Sequence, residues 1–192
     1  MRLILISGKI GSGKSTICKC LQKKGYLYIN SDKLAKDLIL SNIPLKNKLQ
    51  KEFNILKDGS IISLNKLKLL FLSSKDYAAK INSIIHPIFF KELNILLSKT
   101  IDKVVLELPL IETMSSINKK FKVIAIDTKL DIRKKRYLLK NKANIKDFMI
   151  LNNYQKSSLY YKNSSEHVIS NNDTIELLKI RFNKLYSKLK NE

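Results

Sequence analysis

Gly8-Lys9-Ile10-Gly11-Ser12-Gly13-Lys14-Ser15 fits the pattern G-x-x-x-x-G-K-[ST] without a mismatch. Glycines at this spacing let backbone N–H groups turn inward around phosphate oxygens, and a following helix turns its positive N-terminal end toward them. Lys14 can then reach the β- and γ-phosphates, and the Ser15 hydroxyl can ligate Mg²⁺. The motif predicts binding of a nucleoside triphosphate; the plain alternative is a Gly-rich turn between a strand and a helix. A second group follows about twenty residues on, where Asn30-Ser31-Asp32 closes a short apolar run. A kinase acting on an alcohol needs a carboxylate to orient the hydroxyl and take its proton as phosphoryl moves, and Asp32 is placed for that role. Ser31 or Asp32 could equally cap the next helix.

The elements that must position these groups follow from the pattern. Residues 2–7 read as a buried strand, 8–13 as the phosphate loop, and 14–24 as a helix closed by Gly25. Tyr26-Leu27-Tyr28-Ile29 is a second strand, delivering Asp32 to its C-terminal end, and a helix over 33–41 stops before Pro44. Ligands of open α/β sheets sit at that edge. From 44 to 101 four helical stretches are expected, with no strand, punctuated by Asp58-Gly59-Ser60 and by His86-Pro87. The sheet resumes at 103–107 and 121–126. A Lys-rich helix over 129–142 and another from Asn144 to Tyr161 come next. His167-Val168-Ile169-Ser170 is the last strand, and a helix over 174–190 starts at a capping box of Asp173 and Glu176. Alternating strands and helices argue for a parallel α/β sheet.

The chain has 192 residues, enough for one domain, and 44% of them are hydrophobic. Its apolar stretches are far shorter than the roughly 20 residues that span a bilayer, and its start does not read as a signal peptide. No membrane association is expected. Cys18 and Cys20 lie two apart on a helix and point away from each other, so neither a disulfide nor a shared metal site is expected. A reducing cytoplasm fits that usage. The net charge of +21 points toward nucleic acid, yet only Arg2, Arg133, Arg136 and Arg181 among the 37 basic residues are arginine. Arginine is the preferred reader of phosphates and bases. The charge is therefore read as a composition rich in Lys, Ile and Asn, and no nucleic-acid partner is expected.

A GTPase would carry an Asn-Lys-x-Asp motif, which is missing here. The chain instead resembles dephospho-CoA kinase. The resemblance rests on Ser7 through Thr16, on Ile29-Asn30-Ser31-Asp32-Lys33-Leu34-Ala35, and on Asp58-Gly59 followed by Phe71. It extends through Ile84-Ile85-His86-Pro87 and Leu108-Pro109-Leu110-Ile111 to Arg136, Gln155 and Val168-Ile169-Ser170-Asn171, from residue 1 to about 180. It implies a P-loop NTPase-type α/β fold: a parallel five-stranded sheet flanked by helices, with a helical insertion and a helical lid. The expected organisation is one kinase domain over 1–192, with a nucleotide-binding core of 1–43, 102–128 and 162–192. The substrate-binding insertion would be 44–101 and the lid 129–161.

The resemblance also implies ATP-dependent phosphorylation of the ribose 3′-hydroxyl of dephospho-coenzyme A. Gly8, Gly11, Ser12, Gly13, Lys14, Ser15 and Thr16 would hold ATP, with Mg²⁺ on Ser15. Asp32 and His86 would face the acceptor; for His86 the alternative is a packed ring at a His-Pro turn. Arg136 would be a catalytic lid arginine, brought onto the transferring group as the 129–161 region closes, and Asn171 would approach the adenine. For Arg136 the plain alternative is a solvated helix face shared with Arg133 and Lys134-Lys135. A monomer or small homo-oligomer is expected.

Several positions depart from the family pattern. Asn30 replaces an aspartate, Glu107 stands for the aspartate before the Pro-Leu turn, and the acidic residue after that turn falls at Glu112 or Thr113. Ser63 and Lys140 replace arginines, the latter in the lid and toward the substrate, while His167 and Asp173 replace Asp and Gly. Lysine is a point charge where arginine is a fork, so phosphate clamping should weaken. Three other readings stay open: another P-loop nucleoside or nucleotide kinase, a nucleic-acid-binding NTPase, and a degenerate protein that binds ATP without transferring phosphoryl.

Overall fold

The computed structural model describes residues 3–54, 62–100, 103–141 and 144–190. The Asp58-Gly59 turn lies outside them. The chain divides into two compact units, Met1–Ser31 with Ile101–Glu192, and Asp32–Thr100.

The first unit is built on five parallel strands, β1 (Leu3–Ser7), β2 (Leu27–Asn30), β3 (Val104–Glu107), β4 (Lys122–Asp127) and β5 (His167–Ser170), in the order β2-β3-β1-β4-β5. This is the expected five-stranded fold. Residues of β1, β3 and β4 are buried along nearly their whole length, as strands covered on both faces must be, which is why they read as unbroken apolar runs. Register sets polar strand ends side by side: Asn30 pairs with Glu107, and Asp127 pairs with Ser170. The sheet thus presents its chemistry along one C-terminal edge.

Helices α1 (Lys14–Gln22), α6 (Leu130–Asn141), α7 (Ile145–Tyr154), α8 (Ser158–Asn163) and α9 (Ile175–Lys190) complete this unit. Two expectations are corrected here. The stretch from 144 to 161 is two helices, because Gln155 leaves helical geometry with ψ 151° and the Ser157 hydroxyl caps α8 by accepting from the Tyr160 amide. The start of α9 is capped by Thr174, whose hydroxyl accepts from the Leu177 amide, whereas Asp173 pairs with Arg181 at 2.6 Å. An ion pair with a fixed arginine competes successfully with the cap for that carboxylate.

Phe182 of α9 is fully buried in a cluster with Ile4, Ile6, Ile126, Ile169, Leu178 and Tyr186. Phe182→Ala is expected to destabilise the protein by about 3–5 kcal/mol, read by denaturant unfolding.

The second unit contains all of α2 (Ser31–Ser41) but its first residue, then α3 (Ile43–Glu52), α4 (Leu64–Ser73) and α5 (Lys75–Lys99). Asn42, Ser63 and Ser74 each accept from a backbone N–H three residues on, capping α3, α4 and α5. Ser63 therefore serves as a helix cap where the family pattern has arginine. The expected break at His86-Pro87 is absent, and α5 runs through Pro87 for 25 residues. An interior proline costs about 3 kcal/mol, which is offset here by buried Ile81, Ile85, Phe89, Phe90, Leu93 and Leu97 along one face. In place of the four expected helical stretches, the described residues between 44 and 101 form three helices. Among the described residues no helix is long and apolar enough to cross a membrane.

Candidate active site

The phosphate loop leaves β1 at Ser7, whose hydroxyl donates to the Leu108 carbonyl at 2.6 Å, and enters α1 through Gly13 at φ 101°. Lys14 is buried, with Nζ donating to the carbonyls of Gly8 and Lys9 at 3.0 and 3.2 Å. Its stem is thus already laid along the loop that it serves. Ser15 and Thr16, in the first turn of α1, are half-buried. Ser12 is buried, and its hydroxyl has no hydrogen-bond partner among protein groups.

Four side chains hold the loop in place. The Ser12 carbonyl accepts from the Thr128 hydroxyl at 3.1 Å and from Asn171 Nδ2 at 2.7 Å. The Ile10 carbonyl accepts from Arg133 at 3.3 Å, and the Ile10 amide donates to Gln155 Oε1 at 2.7 Å. A Cβ on Gly11 would collide with the Arg133 carbonyl, and one on Gly13 with the Asn171 side chain. Close approach as well as positive φ therefore requires glycine at both positions.

Arg133 is the residue that sequence reasoning missed. It is not on a solvated face: it is 4% exposed, and its guanidinium donates to Thr128 O, Ile10 O and Asn152 Oδ1. Burial holds it below the usual arginine pKa, opposed by the nearby Asp127 carboxylate. Lys9 is lowered by burial first and then by the neighbouring Arg133 charge. Arg136 donates to the carbonyls of Asn171 and Asp173, both at 2.9 Å. Arg181 does the same to Ser170 at 3.0 Å. All three described arginines thus hold main-chain carbonyls. In a chain that uses lysine almost everywhere, each of these three arginines marks a place where a fork is used, and that scarcity was the available signal.

At the far side of the edge, the buried Glu107 carboxylate accepts from the Tyr28 hydroxyl and from Asn30 Nδ2 on one oxygen. Burial first, and then this contact, raise the Tyr28 pKa. Asn30 donates to this carboxylate where an aspartate would repel it. Thr113 spends its hydroxyl on the Leu110 carbonyl, while Glu112 Oε2 is buried without a partner. Of the two, only Glu112 carries a buried carboxylate oxygen without a hydrogen-bond partner.

Asp32 is exposed in the first turn of α2, directly after β2. His86 lies in the second unit, half-buried with its ring edge-on to Phe90 at 5.7 Å. Lys140 is exposed in the last turn of α6. The first unit therefore brings together the loop, Arg133, Arg136 and Asn171.

No group of three or more His, Cys, Asp or Glu among the described residues could hold a metal by itself. Ser15, half-buried in the first turn of α1, and the buried Glu107 carboxylate are the oxygen donors of this edge that could support a cation.

A family model described as dephospho-CoA kinase matches residues 2–176. A dephospho-CoA kinase from Carboxydothermus hydrogenoformans is 34% identical over 115 residues, 57% of this chain and 56% of its own. One from Fusobacterium nucleatum is 31% identical over 185 residues, 91% of each chain. Among solved structures, TT1252 from Thermus thermophilus shares the fold with a TM-score of 0.78 at 21% identity, covering 98% of this chain and 99% of its own.

Proposed function

The chain belongs to the dephospho-CoA kinase family, and from that premise we propose how its own residues carry out ATP-dependent phosphorylation of the dephospho-CoA ribose 3′-hydroxyl. One observation carries the assignment: the family match spans nearly the whole chain and lies on an intact phosphate loop.

The loop amides and Lys14 bind the ATP phosphates, and Lys14 leaves its loop carbonyls to follow the β- and γ-oxygens. Ser15, supported by Glu107, would hold Mg²⁺, whose charge neutralises the phosphate oxygens when it is bound. Asp32 orients the 3′-hydroxyl and accepts its proton as the oxygen attacks the γ-phosphorus and the bond from that phosphorus to the bridging oxygen breaks, ADP leaving. His86 and Glu112 contact the acceptor. Arg136 borders the nucleotide, with Asn171 held beneath it, and Lys140 supplies a further positive charge. Catalysis on this account is mostly positioning and charge neutralisation.

The test is ADP release with Mg-ATP and dephospho-CoA, set against adenosine, AMP, CMP and no acceptor. Release selective for dephospho-CoA is expected. Preference for a nucleotide would move the chain to another kinase class, and binding of ATP without release would mark a degenerate enzyme.

A further inference from the structure

The hydrogen bonds of the phosphate loop alternate in a way that neither the motif nor the family match assigns. The amide of Ile10 is spent on Gln155, and that of Ser12 on the Lys9 carbonyl at 3.1 Å. The carbonyls of the same two residues are spent too, on Arg133 and on Thr128 with Asn171. No described peptide bond is cis. In a planar trans peptide the C=O of one residue and the N–H of the next point in opposite directions. Fixing the Ile10 carbonyl outward therefore fixes the Gly11 N–H the other way, and fixing the Ser12 carbonyl does the same for the Gly13 N–H.

We propose that Arg133, Thr128 and Asn171 are positioning residues. Through two main-chain carbonyls they pre-set the Gly11 and Gly13 amides as donors for a β-phosphate. Neither Gly11 nor Gly13 can lose its glycine without disturbing an anchor, since the Arg133 carbonyl and the Asn171 amide occupy the space of the missing Cβ atoms. Arg133 is itself rigid: Asn152 Oδ1 holds it at 2.9 Å, Thr128 O at 3.0 Å, and the Phe148 ring lies 5.9 Å away. A loop set in advance loses no binding free energy to ordering its amides when the anion arrives, which is how fixed donors stabilise charge. Asn171 thus acts on the nucleotide through Ser12.

The proposal rests on the nucleotide reading of the loop, and binding experiments separate the two. ADP and AMP are titrated calorimetrically into the wild type, Arg133→Met, Arg133→Lys and Thr128→Val. Arg133→Met is expected to weaken ADP about tenfold, the loss of one charge-assisted hydrogen bond, and to leave AMP, which lacks the β-phosphate, within about twofold. Arg133→Lys recovers part of the loss, and the KM for dephospho-CoA stays unchanged. Equal weakening of ADP and AMP, or of neither, overturns the anchors. If Arg133→Met does not fold, Thr128→Val decides: about threefold weaker ADP with unchanged AMP supports the proposal, and unchanged ADP overturns it. Failure of the wild type to bind ADP would instead overturn the nucleotide reading.

Discussion

Asp32→Asn is expected to bind Mg-ATP as the wild type does and to turn over dephospho-CoA about 10²–10⁴-fold more slowly. Asparagine keeps the size of the side chain and its capacity to accept a hydrogen bond, but it cannot take the proton of the attacking hydroxyl. Asp32 is exposed in the first turn of α2, so the exchange removes no packing and should leave the unfolding midpoint unchanged. Stopped-flow or steady-state turnover, with ATP affinity measured in parallel, checks the split between binding and chemistry. Near-full turnover would remove Asp32 as the base.

Lys14→Met should lower kcat by about 10²–10³-fold and weaken ADP as well, because one cation serves both ground state and transition state. Methionine preserves most of the buried stem, so the loss reads as charge and not as a cavity. The carbonyls of Gly8 and Lys9 each lose a donor, a local cost confined to the loop. Kinetics and ADP titration on the same preparation distinguish this outcome from misfolding, in which both would fail along with the far-ultraviolet spectrum.

The sequence disclosed those features of the fold that local chemistry decides. The apolar runs of β1, β3 and β4 are legible because strands buried on both faces tolerate little else, and the phosphate loop is legible because few residues satisfy its backbone. Longer-range competition hid the remainder. Pro87 reads as a break, yet six buried apolar residues keep α5 continuous. Residues 144–161 read as one helix, yet Gln155 leaves it and reaches the Ile10 amide, a partner 145 residues away in sequence. Asp173 reads as a cap, yet Arg181 takes its carboxylate. Arg133 reads as surface because its neighbours are lysines. Only the fold shows that its side chain turns inward beneath the loop.

Asn30 and Glu107 show the same limit at the candidate site. Each taken alone reads as a departure from the family pattern. Their shared hydrogen bond, joined by Tyr28, keeps a single buried carboxylate at the end of β3 without placing a like charge beside it. Pairings across neighbouring strands are set by register, and one sequence alone does not display them.

The most direct test of the central claim is to follow the label from ATP carrying isotopic oxygen on its γ-phosphate, with dephospho-CoA as acceptor, and to locate it by phosphorus NMR. Label is expected in the 3′-phosphate of coenzyme A, with one ADP formed for each. Label that stays in ATP, passes to free phosphate, or appears on a nucleotide acceptor in preference to dephospho-CoA would contradict the claim.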